Sequence, residues 1–134
     1  MINKLDAEFR FQQNALALRA DRQQVLASNI ANADTPGYKA RDIDFRSALE
    51  SALAAAPASA AVSATHPQHL PVPSTNAAAG ELLYRIPRQD SIDGNTVELD
   101  AERAQFADNA VRYEAGLTDL NAKIKGLLAV IQGN

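Results

Sequence analysis

The chain has 134 residues, a hydrophobic share of 46% and a formal net charge of −3. The acidic balance argues against a nucleic-acid-binding surface, which requires a clustered basic face. The absence of cysteine excludes a disulfide framework, a cysteine-based zinc site and a thiol nucleophile. No apolar run reaches the ~18 residues needed to span a bilayer, and "MINKLDAEFRFQQ" lacks the apolar core of a cleavable secretory signal.

The N-terminal arm, residues 1–33, is predicted to be a helix with two apolar stripes. Stripes this broad exceed what one partner helix covers, which indicates contacts on two sides. We expect the helix to end between Asn29 and Asn32, because asparagine tolerates the left-handed conformation that stops helices. One stripe holds Leu5, Phe9, Leu16, Leu26, Ile30 and Ala33, and the other holds Phe11, Leu18 and Val25 at seven-residue steps.

A turn and an extended segment are predicted over residues 34–50. Thr35-Pro36-Gly37-Tyr38 fits a type II turn, with proline at the second position and glycine, at positive φ, at the third. The stretch "KARDIDF" that follows alternates charged and apolar residues, which favours an extended chain.

The middle of the chain, residues 51–80, holds no Asp, Glu, Lys or Arg. It reads "SALAAAPASAAVSATHPQHLPVPSTNAAAG", a composition rich in Ala, Pro, Ser and Thr that cannot bury a core of its own. We interpret it as a low-complexity linker. Residues 81–97 are predicted to be extended or in turns.

A second long helix is predicted over residues 98–134, with Asn95, Thr96 or Asp100 as its N-cap. Its apolar residues follow one another at alternating steps of four and three. This heptad pattern is typical of a helix packed along other helices. The members of the predicted seam are Phe106, Ala110, Tyr113, Leu117, Leu120, Ile124, Leu127 and Ile131.

No residue pattern in the sequence gives good support for a catalytic or metal-binding site. His66 and His69 form H-x-x-H, but no carboxylate or cysteine lies in that segment to complete a metal site. Asp42 and Asp44 would share a solvated face of an extended segment. The stretch "DSIDGN" lacks the ligand spacing of a calcium loop and is better explained as a turn. We therefore expect no enzyme, cofactor or metal.

The fold class predicted from these elements is mainly α, forming one assembly domain. Its long terminal helices pack as a coiled-coil-like hairpin or bundle, joined by an extended segment and a flexible or irregular middle region. One alternative is an ordinary small helical bundle. The other is a subunit that completes its core with copies of itself or relatives, because both helices offer more apolar surface than the other can cover.

The stretch "LASNIANADTPGYKARDIDF" resembles the N-terminal signature of bacterial flagellar rod and hook proteins, and "DGNTVELDAERAQFADNAVRYEAGL" is similar to the C-terminal region of the proximal rod members. The resemblance covers about residues 5 to 46 and 84 to 132. The motif residues, to which it implies an assembly role, are Asn29, Ile30, Ala31, Asn32, Thr35, Pro36, Gly37, Tyr38, Lys39, Asp93, Gly94 and Asn95.

This resemblance implies a structural protein of the periplasmic flagellar rod that transmits motor torque and forms part of the export channel wall. The implied partners are copies of itself, FlgC-like rod proteins, the rod adaptor FliE, the inner-membrane MS ring and the flagellar type III export apparatus. It also implies export without a cleaved signal peptide. The alternative function is a soluble coiled-coil adaptor or export chaperone.

Overall fold

The computed structural model describes residues 2–54, 81–87 and 91–133. It contains three helices and two short strands, which confirms the predicted mainly α class with long terminal helices. Most of the predicted linker, from residue 55 to residue 80, lies outside the described residues, as do His66 and His69. The elements are α1 (Ile2–Ala31), β1 (Arg41–Ile43), α2 (Phe45–Ala54), β2 (Leu82–Tyr84) and α3 (Leu99–Gln132).

Helices α1 and α3 form an antiparallel hairpin. Near the start of α1, Gln12 Nε2 lies 2.6 Å from Asp119 Oδ2, far along α3. Near the end of α1, Asn29 Nδ2 lies 3.1 Å from Glu102 Oε2, at the start of α3. The helices approach closely between these points, because a Cβ added to Gly116 would lie 3.0 Å from Leu16 Cδ2.

Helix α2 was missed by the sequence interpretation, which placed residues 45–50 in an extended segment and residues 51–54 in the linker. Asp44 begins the helix: its Oδ1 accepts hydrogen bonds from the backbone N–H of Arg46 at 3.1 Å and of Ser47 at 3.4 Å. A side-chain oxygen at this position satisfies N–H groups that have no partner in the first turn. The buried pair Ala48 and Ala52 then follows at helical spacing.

The small core lies between α1, β1 and α2. Leu18, Ile43 and Ala48 form its buried centre, with partly buried Val25 and Phe45 against them. In the second apolar stripe of α1, Leu18 and Val25 are therefore covered by α2 and β1 of the same chain, whereas Phe11 is 42% exposed. In the first stripe, Leu16 packs against Gly116 of α3. The prediction of contacts on two sides of α1 is confirmed.

Strands β1 and β2 pair antiparallel, with Arg41 opposite Tyr84 and Ile43 opposite Leu82. The sheet brings the segment after β2 next to the chain that leaves α1, because Arg85 N–H donates to Ala40 O at 2.9 Å. It thus joins parts of the sequence on either side of the middle region.

The C-terminal end of α1 and the N-terminal end of α3 are formed by other interactions than the sequence predicted. Every described residue with positive φ is a glycine, so no asparagine stops α1 in the left-handed conformation. Instead α1 ends in tight turns, with Ala33 N–H bonded to Ile30 O at 3.3 Å. The predicted N-caps of α3 are wrong as well: the cap is Glu98, and its side chain makes no capping hydrogen bond. Among the described residues, none of the three helices contains an apolar stretch sufficient for a membrane span.

Candidate functional site

The turn after α1 has the predicted geometry. Tyr38 N–H donates to Thr35 O at 3.2 Å, and Gly37 has φ of 73°. Pro36 cannot adopt positive φ, so a positive φ at the third position defines a type II turn. This prediction is confirmed.

A second glycine turn packs against the first. Gly94 has φ of 74°, and a Cβ built on it would lie 3.8 Å from Gly37 Cα. Gly37 N–H donates to Asp93 O at 2.9 Å, and Lys39 Nζ donates to Gly94 O at 2.7 Å. The two sequence motifs thus contact each other at their glycines, although more than fifty residues separate them in the sequence.

The buried amide of Asn95 holds the end of α1. Its Nδ2 lies within hydrogen-bond distance of three carbonyl oxygens, those of Asn32 at 3.1 Å, Ala33 at 2.7 Å and Thr35 at 3.0 Å. Its Oδ1 accepts from Val97 N–H at 2.8 Å. A helix end leaves carbonyl groups without partners in the helix, and Asn95 supplies donors to this region from the other motif.

Asn29, in the last turns of α1, is completely buried and makes four hydrogen bonds. Its Nδ2 donates to Arg41 O at 2.7 Å and to Glu102 Oε2 at 3.1 Å. Its Oδ1 accepts from Arg41 N–H at 3.1 Å and from Tyr38 Oη at 3.3 Å. The amide uses both of its donors and both acceptor positions, and so ties α1, β1 and α3 together.

A network of two arginines and two carboxylates completes this region. Arg22 binds Asp42 through two hydrogen bonds, of 2.8 and 2.9 Å. Arg85 binds Asp42 Oδ2 at 2.6 Å and also pairs with Glu102, whose side chain is 1% exposed. Gln105 Oε1 accepts from both arginines, at 3.1 and 2.8 Å. The two positive and two negative charges balance, so these side chains can lie at the centre of the junction.

The arginines change the protonation behaviour of this network. Burial alone would raise the pKa of the Asp42 carboxyl, but hydrogen bonds from Arg22, a backbone N–H and Arg85 lower that pKa below its ordinary value. The hydrogen bond to Asp42 in turn raises the pKa of Arg22. The Asp42 side chain is 21% exposed and pairs with Arg22 and Arg85, so Asp42 and Asp44 do not share the solvated face that the sequence pattern predicted.

We call this junction the clasp and define it as Arg22, Asn29, Asp42, Arg85, Asn95 and Glu102. Sequence reasoning singled out Asn29 and Asn95 from the motifs but missed Arg22, Arg85 and Glu102. Of the other motif residues, Ile30, Asn32, Tyr38 and Gly94 are half-buried, and the exposed ones are Ala31, Thr35, Pro36, Gly37, Lys39 and Asp93.

The predicted seam of α3 divides into an inner and an outer column of residues, whose members are given at the end of this paragraph. The inner column faces α1. Alternating with its members, on the same side of α3, lie the polar or small residues Glu102, Asn109, Gly116 and Lys123. The outer column is the exposed half of the predicted seam, and its larger members Leu117, Ile124 and Ile131 are 38%, 40% and 80% exposed. The inner column is Phe106, Tyr113, Leu120 and Leu127, and the outer column is Ala110, Leu117, Ile124 and Ile131.

The described part of the chain contains no group of three or more His, Cys, Asp or Glu side chains arranged to hold a metal ion. What the structure offers is a closed clasp at one end of a helical hairpin and an apolar column along α3. Such an arrangement can bind other helices.

The comparisons with known proteins decide the family. Residues 9–39 match the family of flagella basal body rod proteins. The chain is 52% identical over 136 residues to the flagellar basal body rod protein FlgB of Salmonella typhimurium, covering 99% of each protein. It is 53% identical over 135 residues to FlgB of Escherichia coli, covering 98% of each, and 48% identical over 119 residues to FlgB of Cereibacter sphaeroides.

The chain belongs to the FlgB family of flagellar basal body rod proteins. It is a structural component of that rod, and this kinship implies a non-enzymatic role. As a FlgB family member it associates with other rod components at the flagellar basal body. The alternative of a soluble adaptor or export chaperone is not favoured.

Proposed function

We propose that this chain forms part of the wall of the proximal rod, where its helices pack against neighbouring subunits, transmit motor torque and surround the export channel. The observation that carries the proposal is the outer column of α3. Leu117, Ile124 and Ile131 remain exposed although the hairpin that could have covered them is already closed.

An exposed apolar column of this length is unusual on a protein that works alone. Isolated apolar side chains are common on protein surfaces, whereas contiguous ones mark interaction sites. The column repeats every seven residues along α3, as in helices that pack along other helices. We therefore assign both columns of the predicted seam to helix packing, the inner one within the chain and the outer one between subunits.

The clasp provides the rigidity that a torque-transmitting subunit requires. It fixes the α1–α3 pair at one end through buried, charge-balanced contacts, so a force applied to one helix passes to the other. The exposed motif residues Thr35, Pro36 and Lys39 then lie on a turn of fixed shape. We propose that they contact an adjacent subunit, which agrees with the assembly role implied by the sequence motif.

The neighbours that fit this role are copies of the chain itself, FlgC-like rod proteins, the rod adaptor FliE and the inner-membrane MS ring. The site of assembly would be the periplasm, reached through the flagellar type III export apparatus. The absence of cysteine and the small core suit a chain that travels unfolded and completes its packing on assembly.

Replacement of Ile124 by aspartate tests the proposal. Ile124 is 40% exposed, so the isolated chain should keep its helical circular dichroism and its melting temperature. In cells that lack their own FlgB, the Ile124→Asp chain should be exported but should not support swimming, because a buried unpaired carboxylate at a subunit contact is strongly unfavourable.

The matched control is Thr118→Asp, which places the same side chain at an exposed position of α3 outside both columns. These cells should swim normally. If Ile124→Asp cells swim as well as Thr118→Asp cells, the outer column makes no essential contact and the proposal is wrong.

A further inference from the structure

We propose that copies of this chain pack side by side and parallel, with Leu128 of one copy seated in a groove beside Gly126 of the next. The inference rests on the proposed function and adds which two surfaces meet and in what register. The two surfaces lie on opposite flanks of the same helix, α3.

The groove lies between the start of α1 and the end of α3, and has a volume of about 300 Å³. It is lined by Gly126, by Gln12 and Lys123, and by the apolar residues Leu5, Phe9, Leu127 and Val130. Glycine in a helix interior is destabilising relative to alanine. A Cβ added to Gly126 would meet nothing within 4 Å, so packing within the chain does not require this glycine. A side chain that enters the groove from another molecule would require glycine here, because any larger residue would occupy the space that it needs.

The opposite flank of α3 supplies such a side chain. Leu128 is 48% exposed there, beside the outer column. The flank that holds Gly126 also carries Ala115, Ala122 and Ala129, which are exposed and repeat at the same seven-residue step as the outer column. Large side chains on one flank therefore match small ones on the other, position by position.

A single register satisfies all of these matches. If one copy is shifted by two residues, about 3 Å along the helix, Leu117 lies opposite Ala115 of the next copy and Ile124 lies opposite Ala122. The same shift puts Leu128 opposite Gly126, in the groove.

The charges on the two flanks agree with that register. Glu114 is exposed on the flank of Leu128. Arg112 lies on the flank of Gly126, where it is 60% exposed and pairs with Asp108 of its own chain at 2.7 Å. The two-residue shift places the carboxylate of Glu114 opposite the guanidinium of Arg112 in the neighbouring copy. Within one chain these two residues do not face each other, because residues two apart lie on different sides of a helix. The charge match, together with the match of large and small side chains on the two flanks, favours a second copy as the occupant.

A contact between two different surfaces of the same molecule is heterologous. Each copy offers its Leu128 flank to one neighbour and its Gly126 flank to another, so the contact repeats from copy to copy into a ring or a helix. Side-by-side repetition of this kind suits a subunit of a tube.

Disulfide cross-linking tests the register, and the chain is suited to it because it contains no cysteine. The variant is Ala115→Cys with Leu117→Cys, expressed in flagellated cells that lack their own FlgB, and the isolated rods are treated with a mild oxidant. We expect a ladder of dimers and larger species on non-reducing gels. Each single variant should remain monomeric, since position 115 of one copy faces position 117 of another.

The matched control is Ala122→Cys with Leu117→Cys, which would be linked only if the copies were shifted by a further heptad. It should give no ladder. If rods contain the first double variant but give no ladder, or if both double variants give equal ladders, the proposed contact is wrong. Neither result contradicts the proposed function. If the unmodified chain is missing from isolated rods, the proposed function itself fails.

Charge reversal provides a second test that does not depend on cysteine. Glu114→Arg should abolish or greatly reduce swimming, because it places two guanidinium groups together at each contact. Adding Arg112→Glu to the same chain should restore swimming at least in part. Normal swimming of the Glu114→Arg cells, or no improvement in the double reversal, contradicts the proposed register.

Discussion

Asn29 on α1 and Glu102 on α3 are both completely buried, and the Nδ2 atom of Asn29 donates a hydrogen bond to Glu102 Oε2 at 3.1 Å. This contact joins the last turns of the first helix to the first turn of the last one. It depends on a neutral amide at position 29, because a carboxylate there would face another carboxylate.

The variant Asn29→Asp should therefore destabilise the isolated chain by about 2–5 kcal/mol. It removes the N–H donors to Arg41 O and Glu102 and buries a second negative charge beside the first. Urea unfolding followed by circular dichroism measures the change. Asn121→Asp on the exposed face of α3 is the matched control, expected within about 0.5 kcal/mol of the unmodified chain. Equal midpoints for the two variants would contradict the account of the clasp.

Asn95→Ala should loosen the turn after α1 without unfolding the helices. The substitution removes the donors to the Asn32, Ala33 and Thr35 carbonyls, at a cost of about 1–3 kcal/mol. Amide hydrogen exchange should become faster at Gly37, whose N–H is bonded to Asp93 O, and at Thr96, whose N–H is bonded to Tyr38 O. Exchange in the middle of α3 should change little. Unchanged protection at both amides would show that Asn95 does not hold the turn.

Acid should weaken the clasp through Asp42. Its pKa is lower in the folded chain than its ordinary value, so its contribution to the free energy of unfolding is fully present above the unfolded pKa of about 3.9. That contribution is lost as the pH falls through the folded pKa. Urea unfolding from pH 7 down to pH 2 should show stability falling below about pH 4. The Asp42→Asn variant should start less stable and fall less steeply, and parallel curves would refute this role.

Gly37 is required for its backbone conformation alone. Its φ is 73°, and nothing lies within 4 Å of the position that a Cβ would take. Gly37→Val should therefore cost about 1–3 kcal/mol through backbone strain, whereas Gly37→Asn should cost less because asparagine tolerates positive φ. Thermal unfolding of both variants measures the difference. Equal melting temperatures would mean that the turn has another conformation.

Features fixed by neighbouring residues could be predicted from the sequence. The turn at Gly37 follows from a Pro-Gly pair, and α3 follows from a seven-residue repeat carried through most of its length. Both depend on residues a few positions apart, so the local chemistry determines them.

Helix α2 and most of the clasp could not be predicted in the same way. The alternation of Asp42, Ile43, Asp44 and Phe45 has the period of a strand, and the N-cap role of Asp44 was concealed within it. The pairs Arg22–Asp42 and Arg85–Glu102 join segments that only the folded backbone brings together. Asn29 and Asn95 were recognised as motif residues, but their shared role at the end of α1 depends on contacts across more than sixty residues of sequence.

The split of the α3 seam into two columns also required the structure. The four-three repeat that starts at Phe106 describes the apolar residues, yet the residues that face α1 include Asn109 and Gly116 in place of Ala110 and Leu117. A heptad pattern identifies the apolar side of a helix, whereas the position of the partner depends on tertiary packing. That difference leaves the outer column available to other subunits.

A cryo-electron microscopy reconstruction of a rod assembled from this chain, at a resolution that shows side chains, would reveal directly which surfaces of α3 contact neighbouring subunits. We expect the clasp to be closed and Leu117, Ile124 and Ile131 to be buried against the helix of a neighbouring subunit. A rod in which these three side chains face solvent or the lumen of the channel would show that the outer column does not join subunits.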